Sequence, residues 1–322
     1  NCVGKLAQWG TETGQNETLF QAYKTLSESE EFAGLTQAQR HSIKLALQNF
    51  DLSGVSLPED KKQRFSQLTQ NLAEFSSKFG DNVMDATQAW TLLITDATEL
   101  AGVSENSRAL FAQAAREKDQ AGYLLTLDQP CFIAIMTYAD NRLLREQMYQ
   151  AFTTRASDQG PQAGQWDNSA IIDETLKLRH ELSQILGLGN AAELSLAPKM
   201  AGSTSQVMTF LSDLAKQVKP QAEKEFAELS QFAQTQLQLA EFKAWDIAYV
   251  SEKLRTQRYA ISVEELRPWF PVERVISGLY NIAGRLFDIS IEEDTSVDLW
   301  HKDARFYRIS RNGQAIASFY MD

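Results

Sequence analysis

The chain has 322 residues, with 42 acidic and 31 basic side chains, a formal net charge of −11 and a hydrophobic share of 43%. That share is enough for packed cores and excludes global disorder, and the length suits two domains or one large one. The negative balance, with no basic run, argues against a nucleic-acid partner, whose phosphates need a concentrated positive field.

The chain begins at Asn1 rather than Met, which reads as a processed or cut start, and residues 1–14 lack the charged-then-apolar pattern of a signal peptide. After Leu57-Pro58, apolar residues at Phe65, Leu68, Leu72, Phe75 and Phe79 alternate steps of three and four. This predicts one long helix with a core-facing stripe, continuing through Val83 and Ala86 to Trp90. Further amphipathic helices are predicted at 104–118, through Tyr138 after Pro130, and at 142–153. Gly160-Pro161 and Ala163-Gly164 mark an exposed loop. Asp167-Asn168-Ser169 caps the next helix, which carries Ile171, Thr175, Leu178, Leu182 and Ile185 on one face and stops at Gly187. Helices are predicted at 205–219 and 222–239, with Pro220 breaking between them.

Beyond Ala240 the character changes: Pro268, Pro271, Gly278 and Gly284 interrupt the pattern, and Trp245, Trp269 and Trp300 appear. At the end, two β-prone runs, 305–310 and 315–320, flank Asn312-Gly313, the strongest short hairpin signal. A terminal apolar strand leaves an open edge, so the hairpin reads as the start of a sheet completed by strands outside this sequence. The expected fold class is mainly α, a helical bundle-like region with a β-hairpin at the C-terminal end. The expected division is a helical domain over 1–240 and a mixed segment over 241–322.

The chemistry-bearing residues are few. Cys2 and Cys131 are the only cysteines, too few for a disulfide scaffold, and Cys131 opens an apolar run that suits a buried thiol. Apolar runs reach only about six residues against the ~20 a bilayer span requires, so no membrane partner is expected. The histidines are His41, His180 and His301. His180-Glu181-Leu182-Ser183-Gln184 approaches a zinc-peptidase helix, but that motif needs a second His four residues on, where Gln184 stands. His180 is read as a polar-face side chain, and Glu292-Glu293-Asp294 as solvated loop charges. No Gly-x-Ser-x-Gly elbow or phosphate-binding loop occurs, so no catalytic residue and no metal ligand is assigned. Trp245-Asp246-Ile247-Ala248-Tyr249 mixes large rings with charge, a composition that fits either a cleft wall or packing between domains.

Several segments in fixed order carry a family resemblance. Phe50-Asp51-Leu52-Ser53-Gly54 leads into Leu57-Pro58, and Gly122-Tyr123-Leu124-Leu125-Thr126-Leu127-Asp128 precedes Arg142–Arg155. Then come Ala156-Ser157-Asp158-Gln159-Gly160, Trp166-Asp167-Asn168, Leu178-Arg179-His180-Glu181-Leu182, Asn190–Leu196, Lys199-Met200-Ala201, Ala244–Tyr249 and the terminal Ala317–Asp322. Together they resemble the thimet oligopeptidase family of zinc metallopeptidases along essentially the whole chain.

The resemblance implies a mostly helical zincin-type oligopeptidase whose deep, narrow channel admits short peptides. It implies zinc in the intact parent and a cytoplasmic setting. The family's His-Glu-x-x-His helix has no counterpart here, so the resemblance implies an internal fragment, inactive alone, that binds no zinc and forms one channel wall. Its implied partners are short peptides and the remainder of the catalytic domain. Trp245, Tyr249, Phe319 and Tyr320 are the candidates for the channel lining. The alternative is a truncated, non-catalytic paralogue used for peptide binding or as a scaffold.

Overall fold

Capping residues open several of the helices, satisfying N–H groups that the first turn leaves orphaned. In the computed structural model, which describes residues 2–260 and 266–322, Asn16 caps α2 (Glu17–Glu28), and Thr36 with Gln39 forms a capping box on α4 (Gln37–Leu52). Asn1 lies outside the described residues. Helix α1 (Cys2–Gly14) precedes these, and the short α3 (Glu30–Gly34) sits between them. The chain divides into two units, Asn1–Glu252 and Lys253–Asp322.

The long helix expected after Pro58 is α5 (Glu59–Ala89). Its apolar stripe is used unevenly: Phe65 and Leu68 are buried, Leu72 and Phe75 are half-buried, and Phe79 is exposed. Helix α9 (Ser169–Ile185) lies beside it. Arg64 holds Glu181 through two hydrogen bonds of 2.6 and 2.8 Å, and Asn82 donates to Asn168 at 2.8 Å. Glu181 is thus spent on an ion pair, while the neighbouring His180 is exposed on the polar face, as its spacing indicated.

The main core of the first unit forms where α6 (Glu105–Glu117), α7 (Gln129–Tyr138) and α8 (Arg142–Thr153) meet a small antiparallel sheet. In that sheet β1 (Thr91–Ile94) pairs with β2 (Tyr123–Thr126) in the register Ile94↔Tyr123. Leu100, Leu125, Ile135 and Met148 are fully enclosed there. Cys131 belongs to the same core, and its Sγ accepts a hydrogen bond from the Thr126 amide at 3.4 Å. Burial pushes this thiol up to about 11 against the opposing pull of Thr126. Since the thiolate is the reacting species, Cys131 stays protonated and unreactive near neutral pH. A disulfide reagent at pH 8 is therefore expected to label one thiol per native chain, the exposed Cys2, and two after denaturation. Two equivalents in the native chain would show that Cys131 is open to solvent.

The two helices expected on either side of Pro220 are one helix, α11 (Thr204–Thr235), with Pro220 inside it. Proline removes one hydrogen bond and crowds the carbonyl four residues earlier. On an exposed stretch, water can satisfy that carbonyl, and helix-forming sequence continues on both sides. The short α10 (Ala191–Leu196) precedes it, with Asn190 accepting from the Ala192 and Glu193 amides. A 3₁₀ turn at Ala244–Asp246 then feeds α12 (Ile247–Tyr259).

In the second unit, α13 (Val272–Phe287) packs on a three-stranded antiparallel sheet of order β3–β4–β5, made of Ser290–Glu293, Arg305–Arg311 and Gln314–Met321. The hairpin signal holds: Asn312 and Gly313 carry φ values of 51° and 75°, the double positive φ that a tight two-residue turn requires. Of the acidic run at 292–294, expected as loop charges, only Asp294 lies outside a strand. Glu292 and Glu293 lie in β3 opposite Arg308 and Tyr307. Asp294 bonds Ser296 and Arg308, which together hold its carboxyl down at about 2. Cross-strand pairing with basic β4 places these acids, which composition alone could not show.

Candidate functional site

The segment that mixes rings and charge, 244–249, is held by two arginines from the face of α8. Arg142 and Arg145 are three residues apart on that helix and so project to the same side. Asp246, closing the 3₁₀ turn, is fully buried and receives both. Arg142 reaches it through Nε at 3.0 Å and a terminal nitrogen at 2.8 Å. Arg145, itself only 1% exposed, donates to Oδ1, the oxygen that Arg142 Nε also reaches, at 2.9 Å. The Lys243 amide adds a bond of 3.0 Å.

Arg145 has little unsatisfied capacity. It donates to the carbonyls of Ala139 (2.7 Å), Asp140 (3.3 Å) and Trp245 (3.3 Å), and its guanidinium lies 4.0 Å from the centre of the Tyr249 ring. The Tyr249 hydroxyl donates to Asp140 at 2.8 Å. Burial pushes the Asp246 carboxyl up, but the hydrogen bonds from Arg142, Arg145 and Lys243 outweigh it and hold the carboxyl below its ordinary value. Asp246 is therefore a fixed anion between two cations. That chemistry suits a clamp between α8 and the start of α12, and leaves Asp246 no role in carrying a proton.

Of the sequence candidates, Trp245 and Tyr249 both belong to this junction. Trp245 is half-buried against the main core, with Tyr149 at 6.0 Å and Arg142 at 5.7 Å from its ring. Tyr249 is buried beneath Arg145. Phe319 and Tyr320 are neighbours on β5 in the second unit and point to opposite faces, as successive strand residues do. Phe319 is half-buried, stacked on Tyr307 at 5.2 Å with Tyr280 at 6.2 Å. Tyr320 is exposed and, with Phe306 at 4.7 Å and Trp300 at 5.1 Å, forms a solvent-facing aromatic patch.

Sequence reasoning missed Arg142, Arg145 and Asp140. The i, i+3 spacing of the two arginines was a usable hint, but their partner is about a hundred residues away. Asp246 was visible only as part of its aromatic segment.

Among the described residues, no group of three or more His, Cys, Asp or Glu side chains is placed to hold a metal ion. Among the described residues, too, no helix is long and apolar enough to cross a membrane.

Comparison with known proteins adds two family matches and several long relatives. Residues 135–322 match Peptidase family M3, and residues 4–62 match the N-terminal domain of neurolysin and thimet oligopeptidase. Oligopeptidase A of Salmonella typhimurium is 47% identical over 318 residues, covering 98% of this chain and 47% of that protein. Oligopeptidase A of Haemophilus influenzae is 46% identical over 322 residues, covering all of this chain and 47% of the relative. Dipeptidyl carboxypeptidase of Escherichia coli is 26% identical over 325 residues, 99% of this chain and 46% of that protein. The chain thus spans about half the length of the curated relatives it matches.

Proposed function

The chain belongs to peptidase family M3, and from that membership we propose that it is part of a zinc-dependent oligopeptidase hydrolysing peptide bonds in short peptides in the cytoplasm. The observation that carries this reading is the family match over more than half of the chain, ending at residue 322. It is reinforced by two oligopeptidase A relatives at 46–47% identity. Zinc bound in the whole enzyme would polarise the scissile carbonyl and activate a water molecule. The residues of this chain hold and enclose the peptide.

In this reading residues 1–240 form one wall of a peptide channel and 241–322 open the catalytic domain. Trp245 and Tyr249 in the first unit, and Phe319 and Tyr320 in the second, are taken as peptide-facing residues, each within its own unit. Support comes from the half-buried Trp245 ring and the exposed Tyr320 patch, flat apolar surfaces of the kind that grip peptide side chains. The 322 residues alone do not turn substrate over.

The test is an assay of quenched fluorescent peptides with and without a zinc chelator, on the purified 322-residue chain and on the full-length gene product that carries it. Chelator-sensitive cleavage is expected from the full-length product alone. Cleavage by the 322-residue chain would refute its inactivity, and a full-length product with no cleavage would refute the peptidase reading.

A further inference from the structure

Helix α11 carries an apolar stripe, interrupted at Glu225, whose middle stretch is uncovered. At the C-terminal end, Ala233 is fully buried and Leu229 is packed beside it with Tyr249 and Val250. Toward the N-terminus, at steps of four and three, that stripe passes the charged Glu225 and then carries Ala222, Val218, Leu214, Leu211 and Val207. Of these, Leu211, Leu214 and Val218 are each 47–51% exposed. Residues 208–225 are exposed without exception, some 18 residues of helix, before Phe226 packs against Phe242 at 5.3 Å. An isolated helix in water is marginal at that length, and helices gain most of their stability by packing an apolar face.

The opposite face needs nothing further. Lys216 lies 3.7 Å from Asp213 and Lys219 3.8 Å from Glu223, both within the helix. Helix α13 repeats the arrangement in the second unit, where Val275, Leu279, Ile282 and Leu286, at steps of four, three and four, are exposed while Tyr280 packs on the sheet.

We propose that the bare face of α11, from Leu211 to Val218, is the seat for the part of the family M3 polypeptide that the relatives carry beyond the span of this chain, and that α13 supplies a second such seat. This rests on the reading of the chain as part of a longer peptidase. Three facts select that occupant. The relatives are about twice as long as the segment they share with this chain. Both bare faces fall inside the family M3 match and outside the N-terminal-domain match. The bare stretch of α11 lies on the same stripe, beyond Glu225, that the fold buries at Ala233.

Hydrogen exchange followed by mass spectrometry on the full-length gene product and on the 322-residue chain tests the assignment. Amides of 208–222 are expected to exchange at least about tenfold more slowly in the full-length product. Leu214→Asp is expected to lower the melting temperature of the full-length product and leave that of the 322-residue chain unchanged. Equal exchange in both proteins would overturn the proposal, as would a gene product that stops near Asp322. Protection that rises with the concentration of the 322-residue chain would also overturn it, in favour of a second copy as the occupant. Should Leu214→Asp prevent folding of the longer protein, the wild-type exchange comparison still decides. A protected α11 in a product that cleaves no peptide would sink the peptidase reading and leave this one standing. An active product with unprotected α11 would do the reverse.

Discussion

Replacing Asp246 by alanine is expected to destabilise the first unit by about 3–5 kcal/mol, the cost of leaving a buried charge without its partner. The stranded group is Arg145, 1% exposed, which donates to the Asp246 carboxylate at 2.9 Å. Arg142 is partly solvent-facing and can turn outward, so it contributes less to the loss. Urea unfolding at pH 7 measures the effect, and a loss below about 1 kcal/mol would mean that Arg145 finds other compensation. The pair itself need not be stabilising overall, because well-packed apolar residues often replace a buried ion pair at little cost. Arg145→Met combined with Asp246→Leu should therefore recover most of what Asp246→Ala loses. The pH dependence has a definite sign. Because the folded Asp246 carboxyl is held below its ordinary value of 3.8, its contribution is complete above that value and is lost as pH falls through the folded one. The penalty of Asp246→Ala should accordingly shrink in strongly acidic solution, and a pH-independent penalty would contradict the assignment of charge.

Ile135→Ala is expected to cost about 2–5 kcal/mol through lost burial and the cavity left behind. Ile135 is fully enclosed among Leu125, Leu144 and Met148, on a helix fixed from both sides by α6 and α8. The same change in size at Leu214 of α11, half exposed and bare, should stay within about 0.5 kcal/mol in the 322-residue chain. Thermal or urea unfolding of the two variants gives the contrast directly. Similar losses at both positions would mean that α11 is packed in solution.

The helical part was legible because periodicity is local. The step pattern from Phe65 to Phe79 predicts α5, the cap at Asp167–Ser169 predicts α9, and Arg142–Thr153 is α8 residue for residue. Asn312-Gly313 predicts its hairpin because the turn chemistry lies within two residues. What could not be read depends on distant partners. Strand β1 follows α5 after one residue and pairs with β2 across the whole of α6, so its four residues look like a continuation of the helix stripe. Strand β3 is acidic and becomes a strand through its pairing with β4. Pro220 misled in the other direction, because a local cost of about 3 kcal/mol is outvoted by helix-favouring sequence on both flanks. At the candidate site, the aromatic segment 244–249 was visible, but the arginines that fix it were not. Nothing local distinguishes an arginine destined for a buried aspartate from one destined for water.

The clamp at Asp246 also sets an order of events in time. Arg145 and Asp246 are separated by 101 positions, and the intervening chain contains α9, α10 and α11. Such a loop must close before the contact returns any energy, and contacts of large sequence separation slow folding accordingly. The core around Ile135 and Leu125 draws on elements between residues 90 and 153 and closes much shorter loops. The clamp thus forms after that core, on the far side of the folding barrier, and its loss acts by raising the unfolding rate rather than by slowing folding. The ion pair behaves as a latch: it governs how long the folded first unit survives, while the core sets how fast that unit is reached.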